Sequence, residues 1–277
     1  MKISVIIPTF NRADLVCQAI DSVLQQTQKA DEIIVVDDGS TDDTQKRLQQ
    51  FGSKVKMISK SNGGISSARN AGIEAAHQEN EWIAFLDSDD LWKPGKLVRQ
   101  KQALAENPDY LICYTDEEWR KNNKWLNQKK VHQKSGGWIY ELCLPRCIIS
   151  PSSVLIHRSV FAQIGTFDET LPACEDYDLW LRVSRSFPVL YIGERLIIKR
   201  HGPWEQLSKQ HSLDKYRIRA LSKMLETGIP DRKLEKATRD IFLKKCKIYR
   251  TGCEKHNRFD EIEWTDHMVE HFKTKDL

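Results

Sequence analysis

The feature that most constrains this chain is the alternation that fills residues 1–115. Short apolar runs rich in Ile and Val recur between segments with helical periodicity. Ile3–Pro8, Glu32–Asp37, Val55–Ser59, Trp82–Leu86 and Tyr110–Thr115 read as strands. Arg12–Gln26, Asp42–Phe51, Ser66–His77 and Pro94–Glu106 read as helices. In the first helix, Leu15, Val16, Ala19, Ile20, Val23 and Leu24 form one apolar stripe. Ser40 or Thr41 is available to cap the second, Asn62-Gly63-Gly64 leads into the third, and Pro94 opens the fourth, where proline is tolerated. This order specifies an α/β fold: a mostly parallel, Rossmann-like central sheet flanked by helices on both faces.

Ligands of such sheets bind beyond the carboxyl ends of the strands, so the polar residues there carry the functional information. Strand one ends in Pro8-Thr9-Phe10-Asn11-Arg12, strand two in Asp37-Asp38-Gly39-Ser40, and strand four in Asp87-Ser88-Asp89-Asp90. Three carboxylates at one strand end are not core, and a single cap for the helix at Pro94 does not need them. They ask for a cation. A hard divalent ion with oxygen ligands fits, and such ions usually arrive with a substrate phosphate. No G-x-G-x-x-G loop follows strand one, which weakens a dehydrogenase reading and a nucleotidyltransferase reading alike.

Composition narrows the class. With 277 residues, 40% hydrophobic and 30% charged, the chain can bury a real core and is not a disordered segment. A net charge of +4 is mild and lacks the concentrated basic face that nucleic acid asks for. No window approaches the roughly 20 apolar residues of a membrane span. Met1–Pro8 is a short apolar run without a small-residue cleavage site, so it reads as a strand and not a signal peptide. The seven cysteines are odd in number and scattered, as expected of reduced thiols in a cytoplasmic protein. Neither Cys143 with Cys147 nor Cys246 with Cys253 has zinc-ribbon spacing.

Ser4–Arg12 (SVIIPTFNR), Val36–Asp42 (VDDGSTD), Gly64–Gly72 (GISSARNAG), Leu86–Asp90 (LDSDD), and Gly165–Glu169 (GTFDE) followed by Glu175–Arg182 (EDYDLWLR) share an order and spacing. In them the chain resembles the family 2 glycosyltransferases of the GT-A fold, over about residues 1–204. The resemblance implies an inverting enzyme that moves a sugar from a nucleotide sugar to an acceptor hydroxyl, in bacterial-type polysaccharide or glycoconjugate synthesis. It implies a catalytic domain over 1–204, with a nucleotide-binding half (1–115) and an acceptor half (116–204), followed by a C-terminal helical extension over 205–277. By resemblance Asp89 is the direct ligand of Mn2+ or Mg2+. Asp87 holds the ribose and a metal-bound water, Asp38 reads the base, and Asp90 receives no role. Asp176 removes the acceptor proton, with Glu175 the alternative. His201, in the run Lys199–Trp204, is a second candidate at the metal or diphosphate. Trp204 and Gln206 fall on a loop over the donor.

These residues suit such roles chemically. A departing nucleoside diphosphate builds negative charge that a divalent ion neutralises. The Asp38 carboxylate only accepts hydrogen bonds, so it suits a base with a ring N–H: uracil first, then thymine or guanine, and not neutral cytosine. Asp37 is expected to close the Asp-Gly turn. Pro8 and Thr9 are expected at the nucleotide, although a strand-end threonine also satisfies backbone. Arg69 is expected at the base or phosphate, its other reading being an ion pair with a surface carboxylate. Asp178 and Arg182, four apart, should pair on one helix face. Asp176 lies about 200° round from Asp178, on the side of Leu179, Trp180 and Val183. An aspartate is a weak base and acts late, as the attacking hydroxyl becomes acidic. The competing reading of Asp176 is a carboxylate placed for the helix dipole.

In the second half, Ser152–His157 and Leu196–Lys199 read as strands. Arg158–Ile164 reads as a helix stopped by Gly165, and Glu175–Ser186 as another. Asp116–Gly137 is polar and lysine-rich, with Trp119 and Trp125, and is expected to form an acceptor loop. In 205–277, Leu234, Ala237, Ile241 and Ile248 make an apolar stripe among basic residues. Packing on the catalytic domain, a homodimer, and a peripheral contact with anionic membrane are three readings of it. The partners implied are a nucleotide-sugar donor and a glycan or lipid-linked acceptor, with no nucleic acid. The place implied is the cytoplasm, at the inner face of the membrane if the acceptor is lipid-linked. A catalytically silent relative that binds nucleotide sugar as a sensor or scaffold is the alternative.

Overall fold

The apolar runs of the first half become β1 (Ile3–Thr9), β2 (Glu32–Asp37), β3 (Lys56–Ser59) and β4 (Trp82–Phe85). Between them run α1 (Ala13–Leu24), a short α2 (Thr44–Leu48) continued as a 3-10 turn, and α3 (Gly64–Ala75). This computed structural model describes residues 1–122, 124–204, 206 and 212–273. β1 pairs in parallel with β2 and β4, and β2 with β3. β1, β2 and β4 are covered on both faces, which is why they read as nearly continuous apolar runs. Ile3, Val5 and Ile7 pack with Val16 and Ile20 of α1, while Ile6 packs on the opposite face with Ala68 of α3. A Cβ on Gly72 would stand 2.4 Å from Ile6 Cγ2, so glycine lets α3 lie close on β1. The N-cap of the second helix is Asp43, and neither Ser40 nor Thr41; Asp42, just before it, accepts the Thr44 amide at 2.9 Å.

The second half adds β5 (Leu91–Trp92), α4 (Lys96–Glu106), β6 (Ile112–Lys121), β7 (Lys124–Leu126) and α5 (Tyr140–Cys143). It continues with β8 (Val154–His157), α6 (Arg158–Ile164), α7 (Glu175–Ser186) and β9 (Leu190–His201). Sheet order among the described residues is β3-β2-β1-β4-β8-β6-β9-β5, with β7 on β6. β8 is antiparallel to both β4 and β6, and β6 is parallel to β9. The carboxyl ends of β1, β2, β4, β6 and β9 therefore share one edge.

The fifth strand runs well beyond the expected Thr115. It continues to Lys121 because it pairs with β9 through a bulge at Thr115–Glu117, and its glutamates are buried as ion pairs that hide the strand pattern. Asp116–Gly137 is thus a strand, a hairpin and a covering segment, not a loop throughout. Trp119 is anchored beneath it against His132, whereas Trp125 is half exposed.

The C-terminal region forms α8 (Leu213–Glu226), α9 (Arg232–Lys255) and α10 (Phe259–Lys273). Residues 205, 207–211 and 274–277 of the expected extension lie outside the described ones. Packing on the catalytic domain holds: Phe242 and Cys246 join the core that contains Trp180, and Thr238 bonds Tyr140 at 2.9 Å. The buried stripe of α9 is Thr238, Phe242, Lys245, Cys246, Tyr249 and Cys253. Leu234, Ala237 and Ile241 only flank it and Ile248 is exposed, because the larger Phe242 and Tyr249 side chains occupy the inward face. No helix among the described residues is long and apolar enough to cross a membrane.

Candidate active site

Asp87, just beyond β4, pairs at 2.6 Å with Arg69 of α3, and the other arm of that guanidinium holds Glu175 of α7, also at 2.6 Å. Arg69 is 3% exposed and stacks over Phe167. Burial works against its charge, but Asp87 and Glu175 outweigh burial and raise its pKa. Burial likewise pushes Asp87 up, but Arg69, Lys199 and Arg12 hold it below the ordinary carboxylate range. Arg69 is therefore a buried strut between two carboxylates, an arrangement neither expectation for it contained.

Glu175 is buried, and burial together with Asp176 pushes its pKa up to about 7 against the pull of Arg69. The folded value exceeds the ordinary 4.5, so the stability from this group is full below that pH and is lost as the pH rises to about 7. Glu175→Gln should flatten that part of the Tm-versus-pH curve. A constant Tm gap between variant and wild type across the window would exclude it.

Asp176 is half-buried on the first turn of α7. Its Oδ1 accepts the Tyr177 amide at 2.7 Å, and its Oδ2 faces the Cys147 thiol at 3.3 Å. Burial and then Asp176 push the Cys147 pKa well up, so the thiol stays protonated and donates. As expected, Asp178 turns away to Arg182, at 2.7 Å, and also takes Lys223 at 2.7 Å.

The other carboxylates of the cluster divide sharply. Asp89 Oδ2 gathers Arg12 at 3.1 Å, Trp204 Nε1 at 3.0 Å and Gln206 Nε2 at 3.2 Å. Asp90 accepts Ser152 Oγ at 2.7 Å and the Arg200 amide at 3.2 Å. Burial and the neighbouring Asp89 push its pKa well above the ordinary range. Asp90, left without a role by resemblance, braces the turn after β4 to the start of β8 and to β9.

Among the described residues no three His, Cys, Asp or Glu side chains gather as a metal cage. A Mg2+-like ion held by one or two carboxylates plus substrate phosphates needs no such cage. Asp89 fits that donor set: it lies at the strand edge, and of its partners among the described residues Trp204 and Gln206 are neutral donors. The His201 ring packs edge-on against Trp119, 5.8 Å between centroids.

At the nucleotide end, Asp37 accepts the Ser40 amide at 3.1 Å and Gln45 at 2.8 Å, so it closes the turn. Gly39, with φ +82°, completes that turn. Asp38 is buried. Its Oδ1 takes Lys60 at 2.8 Å and the Gly63 amide at 3.0 Å, and its Oδ2 takes the Gly64 amide at 2.8 Å. A carboxylate offers about four acceptor positions, so one remains open. Beside it, the Thr9 carbonyl accepts the Asp38 amide at 2.9 Å. The Thr9 hydroxyl is buried with no partner among the described residues, which disfavours a purely backbone role. Pro8 is buried in β1 opposite Val36.

Lys199 was missed from sequence. It lies on β9 in register with Trp119, 3.3 Å from Ser150 Oγ. Burial opposes its charge, but Glu117, Asp90, Asp87 and Asp176 outweigh burial and raise its pKa. It adds positive charge to a site whose direct ion pairs are made by Arg69, Arg12 and Lys134. The available signal was a lysine at the end of an apolar strand, next to Arg200 and His201. The Arg12–Asp89 pair was missed too, because it joins two strand ends 77 positions apart.

An acidic cluster beside a helix-borne carboxylate, at the carboxyl edge of a Rossmann-like sheet, defines a protein of the GT-A class. Residues 4–165 match the family described as Glycosyl transferase family 2, and the chain belongs to that family. An "Uncharacterized glycosyltransferase" of Rickettsia felis is 36% identical over 76% of this chain, and the chain spans 36% of that relative's length. The UDP-Glc:alpha-D-GlcNAc-diphosphoundecaprenol beta-1,3-glucosyltransferase WfgD of Escherichia coli is 31% identical over 66% of this chain and 70% of its own. Among solved structures, S. aureus TarS 1-349 in complex with UDP-GlcNAc superposes with a TM-score of 0.70. It is 19% identical, over 88% of this chain and 72% of that one.

Proposed function

We propose that this protein is an inverting glycosyltransferase that moves a sugar from a nucleotide sugar, a UDP-sugar first, to an acceptor hydroxyl in bacterial-type polysaccharide synthesis. One observation carries the reading. The Arg69 guanidinium binds, at 2.6 Å each, the carboxylate that ends β4 and the helix that presents Asp176. That one buried side chain joins the element proposed for the donor to the element proposed for the acceptor.

The open position on Asp38 suits the ring N–H of uracil, and the unpartnered Thr9 hydroxyl suits its carbonyl or the ribose. Asp87 is the ribose-side carboxylate, positioned by Arg69. Asp176 takes the proton of an acceptor hydroxyl as it attacks the anomeric carbon opposite the diphosphate, which inverts that centre. Lys199 and Arg12 supply fixed positive charge near the leaving group. Mn2+ or Mg2+ at Asp89, with His201 the second candidate ligand, would neutralise the developing diphosphate charge. The acceptor is a glycan or a lipid-linked glycan. A relative named for UDP-Glc and a structural neighbour solved with UDP-GlcNAc support the UDP preference.

Thermal-shift titration with UDP-Glc and UDP-GlcNAc, with and without Mn2+, tests the reading. Wild type should be stabilised by a UDP-sugar, and further by Mn2+. Asp89→Ala should lose the Mn2+-dependent part. Stabilisation that survives both Asp89→Ala and chelation would remove the ion from Asp89.

A further inference from the structure

A cavity lies away from these carboxylates, at the far end of α7. Its volume is about 460 Å3, within the range of ligand sites. Trp138 stands at it with 69% of its surface exposed, on a segment entered through Gly136-Gly137. Gly137 has φ +87°, a backbone that glycine adopts without strain. The charged lining residues are Glu141, Arg185, Asp231 and Lys233, two of each sign.

They pair with one another or with nearby backbone. Lys233 pairs with Glu141 at 2.8 Å, and Asp231 caps α9 through the Lys233 and Leu234 amides. Arg185 donates to Gly228 O at 3.0 Å. A lining that balances its charges does not select a phosphate or an anionic headgroup. It offers donors and acceptors of both signs beside an exposed indole, the combination that suits a neutral ring bearing hydroxyls.

One helix and one chain segment run from the candidate active site to the cavity. α7 carries Asp176 at one end and Arg185 at the other, about 13 Å along the axis. The covering segment runs past Trp119, against which the His132 ring lies tilted, 4.9 Å between centroids. It reaches Trp138 within six residues, at most about 20 Å of chain.

We infer that this cavity is a second carbohydrate site, one that holds the distal sugars of a neutral oligosaccharide acceptor. The inference rests on the glycosyltransferase reading for the word acceptor, but not for binding itself. The test is binding without turnover, on the full chain: calorimetric titration with cellotetraose and chitotetraose, and with glucose as the monosaccharide control. At least one tetrasaccharide should bind saturably at millimolar or lower concentration, and glucose should not. Trp138→Ala should weaken that binding about tenfold and leave UDP binding unchanged.

Absence of saturable binding by both tetrasaccharides, or equal binding by Trp138→Ala, overturns the site. So does a Trp138→Ala variant whose one change is loss of a dimer in sedimentation, since the indole would then be a contact between copies. Tetrasaccharide binding that depends on Trp138, in a protein that binds no nucleotide sugar, would uphold the site and remove the enzymatic reading.

Discussion

Asp176→Asn should lose transfer by about 10²–10⁴-fold, the usual contribution of a positioned general base, while donor binding stays at the wild-type level. The substitution is a clean one here. Asn keeps the oxygen that accepts the Tyr177 amide, so the first turn of α7 retains its geometry. What disappears is the basic oxygen beside Cys147. The loss should fall on kcat and leave the donor KM in place, because the donor contacts assigned above do not involve Asp176. On the proposed assignment Glu175→Gln should cost much less transfer, since Glu175 is buried and engaged by Arg69. UDP release with a competent acceptor measures kcat, and UDP titration measures binding. Wild-type turnover in Asp176→Asn, or a larger loss in Glu175→Gln, would move the base elsewhere.

Arg69→Met should produce the largest loss of stability. Removing one partner of a buried ion pair leaves uncompensated charge and costs about 3–5 kcal/mol. Here two carboxylates are stranded, one 6% and one 24% exposed at the side chain. For a protein of this size that corresponds to a Tm drop on the order of 10 °C. The loss should be smaller at pH 5 than at pH 8, because Glu175 can take up a proton and shed its unpaired charge. Adding Glu175→Gln to Arg69→Met should recover part of the deficit. Calorimetry at the two pH values decides. A Tm change below a few degrees, or one independent of pH, would mean that the strut carries little of the fold.

Parts of this architecture were legible from the chain because they depend on near neighbours. The β1–β4 alternation shows in the apolar runs, since strands covered on both faces must be apolar throughout. Asp178 with Arg182 shows in the four-residue spacing, and the Asp37 turn in its glycine. The long strand β6 did not show. Its polar half is buried through ion pairs, Glu117 with Lys134 of the covering segment at 3.1 Å and Glu118 with Lys93 at 2.8 Å. The α9 stripe was displaced for a related reason: a helix with apolar residues on adjoining faces has its inward side chosen by the shape of what it packs against.

The sequence by itself determined the α/β order, the strand ends that carry Asp38 and Asp89, and the separation of Asp176 from Asp178. Those are properties of periodicity and local turn chemistry, and they act over a few residues. Only the tertiary structure decided the partners of the charges. Arg69 meets Glu175 across 106 residues, Asp90 meets Ser152 across 62, and Lys199 is kept charged by Glu117 from β6, Asp87 and Asp90 from the turn after β4, and Asp176 from α7. A buried charge is stable only where opposite charges converge on it, and that convergence is a property of the packed sheet edge and not of any one segment.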